Sequence, residues 1–349
     1  MQITEIPTST HERVLRVADR DADLLGFIAL HSTVRGPAAG GLRMRPYDGE
    51  AAALADVLGL SRGMSYKTAA ADLPLGGGKS VIIGDPAHKS EAQLRAMAAA
   101  VDSLGGAYWT AEDMGMSPDD MAVMRAVTPY VAGLTDGPFA SGDPSPVTAR
   151  GIFYAIRTTA ERIFGSRVLE GRRIAVQGLG HVGWQLCKLL RAAGAELIVA
   201  DTDAARAAKT AETFGADVVA PEGILTVEAD LLAPCAVGGI LTVDSVAALR
   251  VRAVCGGANT QLASDAAGDA LHARGILFAP DYVANAGGIV NVATEIRRIA
   301  DRRGFVTDKL AALEGSLAAI FDRAEAERTG PHRVADGTIA PLLASRTAA

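Results

Sequence analysis

Residues 173–201 read RIAVQGLGHVGWQLCKLLRAAGAELIVAD, and the fold class turns on them. An apolar run from Ile174 to Gln177 ends at Gly178, Gly180 and Gly183, after which apolar residues recur at helical spacing from about Val182. With 38 glycines in 349 residues, G-x-G-x-x-G alone is weak; the strand before it and the helix after it supply the context of a dinucleotide-binding turn. The first glycine permits the tight turn, the second lets a pyrophosphate approach the backbone, and the third lets helix and strand pack closely. His181 and Val182, inside the turn, are candidate cofactor contacts. Asp201 ends the next apolar run, where a carboxylate accepts ribose hydroxyls and repels a 2′-phosphate. NAD is therefore expected, with Thr202 beside it; Arg206, one turn on, keeps NADP open as the alternative.

Downstream the alternation continues: a helix from Ala204, then DVVA, DLLAP and AVCGGA as further strands. Alternating units of this kind predict a parallel, doubly wound sheet. Ala236, Val237 and Asn259 follow strand ends at its carboxyl edge, where ligands bind in such sheets.

The length allows two domains. Hydrophobic residues make up 49% and charged residues 21%, with a formal charge of −6, so neither a disordered chain nor a nucleic-acid face is indicated. Cys187, Cys235 and Cys255 lack metal-ligand spacing and read as buried apolar thiols; the histidine spacing offers no metal site either. The N-terminus has no signal-peptide pattern and no run is long and apolar enough for a membrane span, so a cytoplasmic protein without membrane partners is expected.

Upstream, LLGFIALHS (24–32) and KSVII (79–83) read as buried strands, and 50–66 and 90–104 as helices, the second capped by Ser90. PAAGG (37–41) and LGGGK (75–79) read as glycine-rich loops. The Gly- and Pro-rich stretch GLTDGPFASGDPSP (133–146) reads as a hinge or linker ahead of a helix over 147–164.

Lys67 (MSYKTA), Lys79 (LPLGGGKSVI) and Asp113 (YWTAEDMG) stand out as polar residues in apolar surroundings. LGGGK is not a phosphate loop, because Leu73 stands where a glycine is needed, and Ser61 in GLSRG lies in a helical pattern rather than at a nucleophile elbow. Two readings of the lysines stay open: surface amines snorkelling from element ends, or partly desolvated amines near one another, one of them able to act as a base. Asp113 reads either as a helix cap or as a partner in that chemistry.

Taken in order, GPAAGG, MSYK, LPLGGGKSVI, AEDMG, SGDPSPVTA, VQGLGHVG, LAPCAVGGIL, GGAN and LFAPDYVANAGG resemble the leucine/phenylalanine/valine dehydrogenases, relatives of glutamate dehydrogenase. The resemblance spans about His31 to Glu295. It implies a mixed-sheet α/β substrate and oligomerisation domain over 1–140 and a Rossmann-type NAD domain over 141–300. A cleft would lie between them, with C-terminal helices over 301–349 returning to the first domain or the hinge. By the same resemblance, Lys67 with the backbone of Gly40 and Gly41 binds the substrate carboxylate, Lys79 is the general base and Asp113 moves protons on the amino group. Asn259 lies by substrate and nicotinamide, Asn285 holds the carboxamide and Thr148 touches the cofactor. The implied reaction is reversible oxidation of an L-amino acid to a 2-oxo acid and ammonia, by a homo-oligomer of dimeric or higher order.

Met64, Ala111, Ile289 and Val292, with Ala39, would line the side-chain pocket. Ala111 and Ile289 favour branched aliphatic substrates such as Leu, Val or Ile, whereas the small Ala39 favours aromatic ones, Phe or Trp. Two departures bear on the site: Thr260 where an asparagine is common, and Leu42 where a threonine is common. Outside this family, a 2-hydroxy-acid dehydrogenase lacks its histidine and arginine pair here, and a non-catalytic NAD- or amino-acid-binding regulator would have no use for Lys79 and Asp113 together.

Overall fold

Four strands come first in the chain: β1 (Gln2–Glu5), β2 (Arg13–Asp19), β3 (Leu24–Ser32) and β4 (Ala38–Arg45). Helix α1 (Glu50–Ala70), strand β5 (Gly76–Ile83), helix α2 (Glu91–Asp102), strand β6 (Tyr108–Glu112) and helix α3 (Pro118–Arg125) follow. The structure, a computed structural model, describes residues 1–344. The strands make one sheet in the order β1-β2-β3-β5-β4-β6, antiparallel from β1 to β5 and parallel where β4 meets β5 and β6. Parallel neighbours need crossovers; α1 joins β4 to β5 and α2 joins β5 to β6.

Side chains alternate between the two faces of each strand. Phe27, Ala29 and Val81 pack with Ala53 and Val57 of α1. Ile28, Leu30, Leu42 and Ile82 pack on the opposite face with Leu94 and Met97 of α2 and Met121 and Met124 of α3. Ser90 caps α2 in a reciprocal box with Gln93, as its sequence predicts.

The stretches PAAGG and LGGGK, expected as loops, are instead parts of β4 and β5. Glycine is required there by packing rather than by a turn. A Cβ on Gly77 would fall 2.0 Å from the Ser65 backbone nitrogen of α1, and one on Gly78 2.7 Å from the Tyr108 ring on the other face. Strands β1 and β2 were not read from the sequence at all.

The next segment begins with α4 (Ser145–Phe164) and then alternates: β7 (Arg173–Gln177), α5 (His181–Ala192), β8 (Glu196–Ala200), α6 (Ala204–Phe214), β9 (Asp217–Val218) and β10 (Leu231–Pro234). It continues through α7 (Val243–Ala248), β11 (Ala253–Val254), α8 (Asp265–Ala273), β12 (Leu277–Phe278) and α9 (Asp281–Ala284). All six strands are parallel, in the order β12-β11-β10-β7-β8-β9. The order reverses between β7 and β10, which makes their carboxyl ends the topological switch point. Burial pushes the free thiols of Cys235 and Cys255 up to about 12.

Helices α10 (Gly287–Ile296), α11 (Arg302–Glu327) and α12 (Pro331–Leu343) complete the described chain. No helix among the described residues is long and apolar enough to cross a membrane. The chain divides into two compact units. The first holds Met1–Pro144, Ile289–Phe305 and the described residues from Ala340; the second holds Ser145–Gly288 and Val306–Ile339. Residues 289–300, expected with the cofactor domain, thus group with the first unit, while 306–339 group with the second.

A buried carboxylate accounts for the placing of α10. Glu295 Oε2 accepts from the backbone N–H groups of Gly133, Leu134 and Ser141 at 2.8, 3.3 and 3.0 Å and from Ser141 Oγ at 2.8 Å. Asn291 and Arg302 both donate to the Ser141 carbonyl. Up to the start of α4 the Gly- and Pro-rich stretch has no helix or strand of its own, yet α10 and α11 bond the backbone of Gly133, Leu134, Ala140 and Ser141.

Two histidines hold α1 to the strands beneath it. His31 Nδ1 meets Ser65 Oγ at 2.8 Å, His11 Nε2 meets Ser61 Oγ at 3.0 Å, and the two rings pack edge to face. Ser61 is fully buried and donates to the Leu58 carbonyl, a packing role rather than a nucleophile's. Burial, with His11 and Arg62 nearby, lowers His31 to about 4 from the ordinary 6.5. Between those values the unfolded chain binds a proton that the folded one refuses, so stability falls as pH drops from 6.5 to about 4. The midpoint of thermal unfolding should decline less over that range in His31→Asn than in the parent protein.

Candidate active site

On β5, Gly77 and Val81 face α1, and the alternation puts Lys79 on that same face in mid-strand. Lys79 is 6% exposed. Its Nζ lies 2.5 Å from Asp113 Oδ2, the first residue past β6. Asp113 is not a helix cap; Ser117 caps α3. Between the two strands runs β4, with Gly41 paired to Ala111. A Cβ on Gly41 would fall 2.7 Å from Asp113 Cβ, so a side chain there would displace the carboxylate. Gly40 is equally tight, its missing Cβ 1.9 Å from the Gly78 carbonyl oxygen and 3.1 Å from Met64 Cγ of α1.

The same Asp113 oxygen meets a second cation, Arg43 Nε, at 3.3 Å. Arg43 lies two residues beyond Gly41 on β4, and its Nη1 reaches both oxygens of Asp56 on α1, at 3.1 and 3.4 Å. Tyr47 OH donates to Asp56 at 2.7 Å. Burial alone would raise the Asp113 carboxyl, but Lys79 and Arg43, with the Met114 backbone N–H, outweigh it and hold it at about 2. Burial likewise opposes the charge on Arg43, and Asp113 and Asp56 outweigh that. Lys79 thus shares the Asp113 carboxylate with a guanidinium, that of Arg43.

The other expected substrate positions also lie in the first unit, apart from Asn259. Lys67 sits half-buried in the last turn of α1, Ala111 is buried on β6, and Ile289 and Val292 are buried one turn apart on α10. Leu42, the departure nearest the glycine pair, points into the core on the face opposite Lys79.

In the second unit, the glycine turn joins β7 to α5 at the switch point. Gly178 has φ 88°, and a Cβ there would fall 2.6 Å from Ala236 Cβ; one on Gly183 would fall 1.9 Å from the Gly178 carbonyl oxygen. Gly180 caps α5 without a side-chain hydrogen bond and faces open space. The N-terminus of α5 thus presents free backbone donors and a positive dipole end. His181 and Val182 begin the helix, the first exposed. Asp201 follows β8; its Oδ2 accepts from the Leu179 N–H at 2.6 Å and its Oδ1 from the Asp203 N–H at 2.8 Å, which fixes the carboxylate against the turn. Thr202 is exposed, and Asp203 caps α6 while pairing with Arg206 at 3.2 Å. Val237 is exposed beside Ala236.

Asn285 Nδ2 donates to Asn259 Oδ1 at 3.0 Å and to the Gly257 carbonyl at 3.1 Å. Its own Oδ1 is buried without a hydrogen-bond partner. Thr148, in the first turn of α4, lies against Gly287. Free donors at the helix end and an orphaned buried acceptor fit the pyrophosphate and carboxamide of a nicotinamide dinucleotide.

Residues 11–130 match the Glu/Leu/Phe/Val dehydrogenase dimerisation domain, and residues 201–324 match Glutamate/Leucine/Phenylalanine/Valine dehydrogenase. The chain belongs to the Glu/Leu/Phe/Val dehydrogenase family. It is accordingly an amino-acid dehydrogenase, an oxidoreductase of CH–NH2 donors in a family that uses a nicotinamide cofactor. A leucine dehydrogenase of Bacillus cereus is 42% identical over 342 residues, 97% of this chain and 93% of that one. A phenylalanine dehydrogenase of Caldalkalibacillus thermarum is 40% identical over 344 residues, 97% and 92% of the two chains. The crystal structure of L-tryptophan dehydrogenase from Nostoc punctiforme superposes with a TM-score of 0.78 at 37% identity, covering 96% of each chain.

Sequence reasoning missed Arg43, Asp56 and Tyr47. The usable signal was the alternation of LRMR in β4, where Leu42 and Met44 enter the core and Arg43 must face the other way. Thr260 adds a cost of its own: it holds φ 51°, a left-handed conformation that a β-branched side chain resists and asparagine tolerates. Thr260→Asn should therefore raise stability by about 1 kcal/mol, read as a higher denaturant midpoint with an unchanged slope.

Proposed function

We propose that this enzyme catalyses the reversible, NAD-dependent oxidative deamination of an L-amino acid with a branched aliphatic side chain, giving the 2-oxo acid and ammonia. The observation that carries the reading is the pairing of the buried Lys79 with the half-buried Asp113. It is a proton-transfer couple, set on the face of the sheet that α1 covers.

Lys67 and the backbone at Gly40 and Gly41 bind the substrate carboxylate, and Lys79 takes a proton from the water that converts the imine to the 2-oxo acid. Asp113 carries protons to and from the amino group. Its two cations make it a weak base at rest, and it becomes a better acceptor once Lys79 has given up its charge. The nicotinamide cofactor, when bound, supplies the hydride acceptor for the α-carbon. The α5 N-terminus at Gly178, Gly180, His181, Val182 and Gly183 would hold its pyrophosphate, with Ala236 and Val237 alongside. Asn285 would hold its carboxamide, with Asn259 and Thr148 nearby. Asp201, with Thr202, supports NAD over NADP, since Arg206 is already paired with Asp203.

Met64, Ala111, Ile289 and Val292 offer no counter-charge, which supports an apolar side chain. Ala111 fills space that a ring would need, and Ile289 suits a branched chain. Ala39, small and buried, is the observation that favours the second reading, an aromatic substrate. The match of 11–130 to a dimerisation domain supports a homo-oligomer.

Initial rates of NADH formation across the L-amino acids, for the parent enzyme and Lys79→Ala, test the reading. Leucine, valine or isoleucine should lead, and Lys79→Ala should lose about 10²-fold or more in kcat while binding NADH unchanged by fluorescence. A leading rate with phenylalanine or tryptophan would overturn the substrate, and near-parental turnover in Lys79→Ala would overturn the mechanism.

A further inference from the structure

Arg43 divides its guanidinium between two carboxylates: Nε donates to Asp113 and Nη1 to Asp56. The Asp113 oxygen it meets is the one that Lys79 meets. One oxygen therefore serves an amine, which can lose its proton, and a guanidinium, which does not. Lys79 and Arg43 carry two positive charges against the two negative ones of Asp113 and Asp56; Tyr47 is neutral, and Arg45, stacked on its ring, adds an exposed third cation.

We propose that Arg43 is a positioning residue that loosens the proton of the Lys79–Asp113 pair: a permanent cation on the shared oxygen lets the amine release its proton while the carboxylate stays charged and in place. Asp56, held by Tyr47, sets the strength of the effect, because it competes with Asp113 for the same guanidinium. The inference rests on the proposed roles of Lys79 and Asp113 and adds the group that tunes them. Without Arg43, deprotonating Lys79 would leave the Asp113 and Asp56 carboxylates without the guanidinium that they share. Buried charge of one sign is costly, so the pair would keep its proton to higher pH. The depressed Asp113 carboxyl, which owes part of its shift to Arg43, agrees with this direction.

The test is the pH dependence of kcat/KM for the best amino-acid substrate with NAD, in the parent enzyme, Arg43→Gln, Arg43→Lys and Asp56→Asn. In Arg43→Gln the acid limb should move up by about one pH unit or more, with kcat reduced more than KM is raised. Arg43→Lys keeps the charge and should return the limb towards the parental position. Asp56→Asn removes the competing carboxylate and should leave the limb in place or move it down, which keeps the inference testable if Arg43→Gln fails to fold. An unmoved limb in Arg43→Gln, equal displacement in the Gln and Lys variants, or an upward shift in Asp56→Asn would each overturn it. If Lys79→Ala stays active, the parent mechanism has failed; if Lys79→Ala is dead and the limb of Arg43→Gln does not move, only the role of Arg43 has.

Discussion

Withdrawing an amine and a carboxylate from water costs roughly several kcal/mol per ion unless they meet in good geometry with further partners. Lys79 and Asp113 meet at 2.5 Å, and Arg43 and Asp56 extend the pair into a neutral chain of alternating charges. Much of the first unit follows from that requirement. Parallel pairing of β4 with β5 and β6 sets the three strands side by side, so that residues far apart in sequence share one face. The absent side chain at Gly41 leaves room for Asp113, and the absent one at Gly77 lets α1 settle on the sheet beside Lys79. Removing one partner of such a pair strands the other, so the geometry proposed to serve chemistry also contributes to folding.

On the proposed reading, the second unit meets a different constraint, the binding of an anionic group by backbone alone. A helix N-terminus does so only if nothing caps it and no side chain stands in front, and Gly180 satisfies both conditions. Gly178 and Gly183 shape the turn that places it at the switch point. Asp201 hydrogen-bonds the turn itself through the Leu179 N–H, so the carboxylate proposed to discriminate between cofactors also braces the glycine turn.

Much of this was legible in the sequence. The Rossmann-type alternation could be read from 173–201 because each strand is a short buried run and each helix an amphipathic one, and local patterns of that kind survive folding. Lys79 and Asp113 could be singled out as polar residues in apolar settings. Their contact could not, since it depends on β4 lying between β5 and β6, a long-range pairing that leaves no local trace. Glycine misled for a physical reason: in PAAGG and LGGGK it marks close packing on both faces of a strand, yet composition alone reads as a loop. Arg43 and Glu295 escaped notice because buried charges are recognised by their partners, and theirs lie 70 residues (Asp113) and some 160 (Gly133, Ser141) away along the chain.

The central claim is that two cations hold Asp113 as an anion throughout the working range of the enzyme. Carbon-13 NMR of the Asp113 carboxyl across a pH titration addresses it directly. The account expects a shift that stays flat from pH 8 down to pH 4, consistent with a carboxyl held at about 2. A titration midpoint at pH 4 or above would show that Lys79 and Arg43 do not grip it, and would contradict the account.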